Sequence, residues 1–258
     1  MNTTNTTAKK RIMALALALI LLLLALTRAT LSYFTDTKKA TNTFTYGSVS
    51  IKQYENNTPI DNGHGLSYTN FLPIATTSSD INDIRSDPNY QKKSVKVELD
   101  ANSSDAYIRT FIRVPAAVMD ASHPILHLDI VEGTYNGWNQ KVEYTYTDAA
   151  DNTEYKVISF THPVALSNTG SGSNTKQTPF FGVYLDAKVN AVNGCLYHID
   201  NGVSYPGTPV VSANQPLKID VVTQAVQADG FASAEMAFNA AFSNKDPWDN
   251  TVPTTPNP

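Results

Sequence analysis

The 258-residue chain contains one cysteine, Cys195, so no disulfide can form within it and stability must come from burial and backbone pairing. The simplest state for that thiol is a small buried hydrophobe. Glycine is scarce, at 12 residues, which excludes a collagen-like repeat. Only 16% of residues are charged and 41% are hydrophobic, which excludes a wholly disordered chain and supplies enough apolar material for one domain of moderate to large size. Lysine and arginine number 19 against 23 acidic residues, with no long basic run, so a nucleic-acid-binding function has no electrostatic support.

What is present begins with a leader. Lys9, Lys10 and Arg11 precede an uncharged apolar run from Ile12 to Leu26, and Thr27 and Arg28 end it. Fifteen residues fall short of the roughly 20 that cross a bilayer as a helix, but suit a signal-peptide core. An uncleaved anchor is the competing reading, because Arg28 could act as a stop-transfer charge. Thr30 and Ser32 supply the small residues of a cleavage site between Ser32 and Tyr33. Residues 1–32 carry four basic and no acidic side chains, so their removal takes the formal charge from −4 to −8. The membrane is expected to be a partner only through this leader, before cleavage.

Beyond the leader the apolar period is mostly two. Val95, Val97 and Leu99 alternate with Lys96, Glu98 and Asp100, and Ile108, Thr110, Ile112 and Val114 oppose Arg109 and Arg113. The polar connection 101–105 predicts that these runs pair as a hairpin. Further strands are expected over 49–54, 126–132, 141–146, 155–160, 180–188 and 217–226, and long loops over 56–85 and 167–179. Ser233 to Phe242 reads as a helix, with Phe238 and Phe242 on one face, closing an open end of the sheet pair. Many short strands and one helix predict an all-β sandwich or barrel over residues 33–246. Residues 247–258, with Pro253, Pro256 and Pro258, read as a flexible tail. That tail holds neither an LPxTG-like sorting signal nor a second hydrophobic anchor.

The segment after the apolar run carries a family likeness. Thr30-Leu31-Ser32-Tyr33-Phe34-Thr35-Asp36-Thr37, followed by Asn42-Thr43-Phe44-Thr45-Tyr46-Gly47-Ser48-Val49-Ser50-Ile51, resembles the TasA/camelysin family of Gram-positive bacteria. In that family a signal peptide for a dedicated SipW-type peptidase runs into an aromatic-Phe-x-Asp start and an Asn-x-Phe-x-x-Gly-x-Val/Leu strand. Asp105-Ala106-Tyr107-Ile108-Arg109, Thr178-Pro179-Phe180-Phe181 and Gln227-Ala228-Asp229-Gly230-Phe231 are similar to pieces of larger members. Ser32 and Arg28 depart from the family's usual Ala and Gly. The resemblance implies an all-β, jelly-roll-like antiparallel β-sandwich with long loops and a short C-terminal helix. It also implies a secreted biofilm-matrix or cell-surface protein, with a SipW-type signal peptidase and related matrix subunits as partners. In fibre-forming relatives the freed N-terminal strand inserts into the next subunit. Phe34, Phe44, Tyr46, Val49 and Ile51, within residues 33–53, are the corresponding assembly segment here. The alternative is that residues 33–53 pair with their own sheet.

Some camelysin-type relatives are classed as metalloendopeptidases, so metal ligands need separate weighing. The chain has no His-Glu-x-x-His. His123 and His127 are four apart, but Pro124 and the alternation of Leu126, Leu128 and Ile130 make the segment a strand, on which one metal could not bridge them. His64, His162 and His198 lie in loop-like surroundings and read as solvated or hydrogen-bonded side chains. Asp80, Asp83 and Asp87 lack the glycine and terminal glutamate of an EF-hand loop and read as a solvated acidic loop. No catalytic residue and no cofactor is therefore expected. The leading expectation is a structural protein that polymerises or co-assembles through its N-terminal strand. A camelysin-like metal-dependent protease and a monomeric surface adhesin are the alternatives.

Overall fold

In the computed structural model, the residues described are 35–38, 49–60, 71–131, 133, 135–169, 173–192, 195–205, 219–243, 245 and 247–248. The expected leader 1–32, the cleavage pair Ser32 and Tyr33, the assembly residues Phe34, Phe44 and Tyr46, and His64 lie outside them.

Two antiparallel layers face each other. The first is a five-stranded sheet in the order β1 (Thr35–Lys38), β15 (Asp220–Gln227), β6 (Ala106–Pro115), β9 (Thr153–Leu166) and β8 (Asn139–Asp148). The second contains β10 (Thr175–Gln177), β5 (Val95–Leu99), β2 (Ile51–Glu55) and β3 (Thr58–Pro59), continued by β7 (Leu126–Ile130), β11 (Phe180–Leu185) and β4 (Gln91–Lys92). These two pieces form one layer, because β4 runs into β5 and β10 into β11. Lys93 N–H donates to the Phe181 carbonyl at 2.8 Å and Thr178 N–H to the Val95 carbonyl at 2.9 Å, bridging the gap. A meander of β12 (Val189–Val192), β13 (Cys195–Asp200) and β14 (Val203–Tyr205) stands beside the second layer. The fold is an all-β, jelly-roll-like sandwich in which the chain crosses between layers from β1 to β2, β5 to β6, β6 to β7, β7 to β8 and β9 to β10, and neither layer closes into a barrel.

Strand periodicity dictates this packing. Val95, Val97 and Leu99 from the second layer and Ile108, Ile112 and Val114 from the first are all buried in one shared core. Thr110 occupies the inward position between two isoleucines. Its hydroxyl lies 3.0 Å from that of Thr223, which donates to Gln53 Oε1 at 2.9 Å, so a polar thread crosses the core with its groups paired. Glu55 and Lys93 form a second polar feature, a buried ion pair at 2.7 Å.

The expected hairpin between residues 94–100 and 107–114 does not exist. β5 pairs with β2 and β10, whereas β6 pairs with β15 and β9, so connection 101–105 carries the chain from one layer to the other. Each run buries one face, and two such strands can share a core by facing each other as well as by lying side by side. The expected loop 56–85 also holds more structure than its composition suggested. Asn56 and Asn57 both take positive φ and turn β2 tightly into β3, as a type I′ turn requires. Helix α1 (Ile81–Ser86) follows, its N-terminus capped by the Asp80 side chain, which accepts from Asn82 N–H. Within the expected loop 167–179, residues 175–177 form β10.

Helix α2 (Ala234–Phe242) matches the expected position, with Ser233 as its N-cap accepting from Met236 N–H. It does not close an open end. Ala234, Ala237 and Phe238 pack with Val226, Tyr107 and Phe231 on the outer face of the five-stranded sheet. That face carries Arg109 and Arg113, and both guanidinium groups are clasped by rings. Arg109 lies over Phe111 and Phe238, and Arg113 over Tyr155 and Trp248. Arg113 also donates to Asp220, Asp148 and Tyr146 at 2.7–3.0 Å. The expected tail thus begins with an anchored residue, Trp248, set edge-on against Phe111.

Candidate functional site

The N-terminal strand and its receiving edge form the first candidate. β1 pairs antiparallel with β15 through Thr35↔Val226, Asp36↔Ala225, Thr37↔Gln224 and Lys38↔Thr223. A four-residue strand at a sheet edge is held by one neighbouring strand, here β15. β2 is held differently. Val49 and Ile51 are buried in the chain's own core, and β2 lies between β3 and β5. Of the expected assembly segment 33–53, Val49 and Ile51 are buried in the chain's own core, and residues 35–38 also pair within the chain's own sheet.

The histidines form the second candidate. His127 lies on β7, and ahead of that strand stands His123. Its ring stacks on Tyr205 at 3.8 Å and meets the His198 ring edge-on at 5.7 Å. His198 and His162 are hydrogen-bonded, one of the two expected states, but not solvated and not on loops. Both are buried and sit on strands, β13 and β9. His198 Nδ1 lies 2.8 Å from the Pro124 carbonyl, which can only accept. His162 sits between the carbonyls of Val164 and Asn136, with its ring against Trp138. Burial pushes the His162 imidazole down, against two carbonyls that favour its charged form. His127 stacks on Tyr184, and its Nε2 lies 2.8 Å from Asp186 Oδ2. Partial burial raises the Asp186 carboxyl, but the hydrogen bonds from His127 and from Lys188 N–H outweigh it and hold it below the usual carboxylate range. Sequence reasoning missed this grouping because residues 127 and 186 meet only through the pairing of β7 with β11, and residues 198 and 205 reach His123 only from the meander.

Among the described residues, no three His, Cys, Asp or Glu side chains are arranged to hold one metal ion. Asp80, Asp83 and Asp87 do not converge on a cation either. Asp80 caps α1, Asp83 accepts from the Ser78 hydroxyl, and Asp87 accepts backbone N–H groups of Ala75, Thr76 and Asn89. Asp87 is buried, not solvated: burial raises its carboxyl, yet the three donors bring it below the ordinary range. Cys195 opens β13 and is half-buried, with its thiol unbridged.

A second network lies on the outer face of β7 and β11. Arg85 from α1 grips Asp129 with two bonds of 2.7 and 2.9 Å, and the Tyr90 hydroxyl donates to the same carboxylate at 2.6 Å. A bulge between Phe180 and Gly182 exchanges the parity of β11, so that Gly182 and Tyr184 join Asp129 and His127 on this face. Burial, then Asp129, pushes the Tyr90 phenol well above its usual range. Neither network presents an activated nucleophile.

Among the described residues, no helix is long and apolar enough to cross a membrane. Compared with known protein families, curated proteins and solved structures, the chain matches none.

Proposed function

We propose that the chain is a structural protein of a Gram-positive cell surface or biofilm matrix, joined to copies of itself or to a related subunit by exchange of its N-terminal strand. The observation that carries this reading is the place of β1, a four-residue strand at the edge of the five-stranded sheet whose neighbour there is β15. When β1 leaves, β15 presents an edge of N–H and C=O groups, and an equivalent strand from a neighbour restores the same ladder at little net cost. The donor and acceptor surfaces differ, so the contact is head-to-tail and propagates. The leader-like residues 9–28 and the family likeness after them support export before assembly.

The test is electron microscopy with size-exclusion chromatography on protein beginning at Tyr33, beside protein with extra residues ahead of Tyr33. Fibres from the first and monomers from the second are expected. Phe34→Asp is expected to abolish fibres while leaving the monomer folded. Monomers from both preparations, or unchanged fibres from the variant, would refute strand exchange.

A further inference from the structure

We infer that Asn201 is a site of self-modification: its side-chain amide is lost through a cyclic imide with Gly202, and the isoaspartyl product releases β14 from the meander. Two Asn-Gly pairs lie among the described residues, 136–137 and 201–202. Each forms a two-residue hairpin turn with both residues at positive φ. In both, glycine adds no side chain to obstruct the attack of its own nitrogen on the preceding amide carbon. What differs is the hold on each turn.

The turn 136–137 is pinned by the buried His162. Its Nε2 lies 3.2 Å from the Asn136 carbonyl oxygen, and a Cβ built on Gly137 would come within 2.9 Å of the same nitrogen. Tyr135 and Trp138 exchange backbone hydrogen bonds across the turn at 2.8 and 3.3 Å, and Trp138 is fully buried. The Asn136 carbonyl and the Gly137 nitrogen share one rigid peptide plane, so the nitrogen cannot turn toward the Asn136 side chain without breaking the contact with His162. Among the described residues, nothing holds the turn 201–202 in this way. A Cβ built on Gly202 would meet nothing within 4 Å. Asn201, Gly202, Val203 and Ser204 are exposed, and β14 is a three-residue strand that pairs, among the described strands, with β13 alone. The Asn201 amide donates to Asp200 Oδ2 at 3.3 Å, a long bond at an exposed site. A short edge hairpin of this kind opens locally without global unfolding, and the ring closes in the open state.

The reaction needs water alone. The Gly202 nitrogen gives its proton to solvent base and bonds to Asn201 Cγ; the Cγ–Nδ2 bond breaks, and Nδ2 leaves as ammonia with a proton from water. A second water then opens the imide. Opening at Cγ gives aspartate. Opening at the main-chain carbonyl gives an isoaspartyl linkage, which routes the backbone through Cβ and Cγ and lengthens it by a carbon atom. A two-residue turn with an extra carbon cannot hold Asp200 opposite Val203, so the register of β13 and β14 fails from the turn outward. Tyr205 then leaves its stack on the His123 ring.

The experiment is incubation of the full chain at mildly alkaline pH, followed by peptide mapping with mass spectrometry. Each modified site is located by fragmentation, because Asn193-Gly194 shares the segment between Lys188 and Lys218 with Asn201. Asn201 is expected to gain about 1 Da, as aspartyl and isoaspartyl products resolved by chromatography, at least about tenfold faster than Asn136. In urea, where neither turn exists, the two rates are expected to converge. Hydrogen exchange is expected to show protection lost over 203–205 in the isoaspartyl form, whereas Asn201→Asp, which adds the charge and keeps the backbone length, is expected to retain it. An Asn201 that persists, or that converts no faster than Asn136 in the folded chain, would overturn the site. A rate ratio unchanged in urea would overturn its structural origin, and protection unchanged in the isoaspartyl form would overturn the release of β14.

Discussion

Gly182→Ala tests the face that carries the Arg85–Asp129–Tyr90 network. A Cβ built on Gly182 would lie 2.1 Å from the Tyr90 hydroxyl oxygen, 2.3 Å from its Cζ and 2.7 Å from the Gln91 carbonyl oxygen. Gly182 does not take a positive φ, so the whole effect is one of contact. Tyr90 must swing away and give up its bond to Asp129, a charge-assisted hydrogen bond worth about 1.5–3 kcal/mol. The Gln91 carbonyl belongs to the β4 backbone paired with β11, so the strands must also part slightly, at an overpacking cost of about 1–3 kcal/mol. Together these give a destabilisation of about 3–5 kcal/mol, or a fall in Tm of about 10 °C for a domain of this size. Urea unfolding followed by the fluorescence of the fully buried Trp138 provides the measurement. Truncating the obstructing ring should relieve much of the clash. The double variant Tyr90→Ala/Gly182→Ala is therefore expected to be more stable than the sum of the single effects by at least about 1.5 kcal/mol. A Gly182→Ala protein within about 1 kcal/mol of the parent, or strictly additive effects, would refute this packing.

Asp87 makes a pH-dependent contribution of predictable sign. Its carboxyl is depressed in the folded protein, so the stabilisation is fully present above the ordinary carboxylate range and is lost as pH falls through the folded value. Asp87→Asn is expected to flatten the acid limb of the stability curve and to increase proteolytic cleavage in residues 71–80; an unchanged acid limb would count against the three-donor assignment. Ser233→Ala removes the α2 N-cap and is expected to cost about 1 kcal/mol in urea unfolding, whereas Ser233→Asp, which keeps an acceptor oxygen at the cap, is expected to retain the parent's stability.

Local features were legible in the sequence where one residue pattern admits one structure. The alternation in β5 and β6 correctly identified the buried residues, and Ser233 with the Phe238/Phe242 spacing located α2. Partner choice was not legible. Residues 101–105 look like a hairpin turn, yet they cross between layers, because period-two burial fixes which face of a strand is apolar and not which strand lies beside it. Helix α1 was missed because six residues with two isoleucines give no helical stripe, leaving Asp80 as the one cue. His198 was read as a loop residue although it alternates along β13 between half-buried neighbours; its significance arises only from residues some 75 positions earlier. The inward position of Thr110 was read correctly, but the chain from its hydroxyl to Gln53 depends on two strands arriving from distant parts of the sequence.

The pairing of β1 with β15 also has a meaning in time. The first described strand and the last lie nearly two hundred residues apart and sit side by side. A chain produced from its N-terminus therefore releases β1 long before its own partner exists, and closing so large a loop is slow. During that interval the strand is unclaimed. If the edge of an already completed neighbour is within reach, self-pairing and pairing with the neighbour become a race, decided by local concentration and not by any difference in the bonds formed.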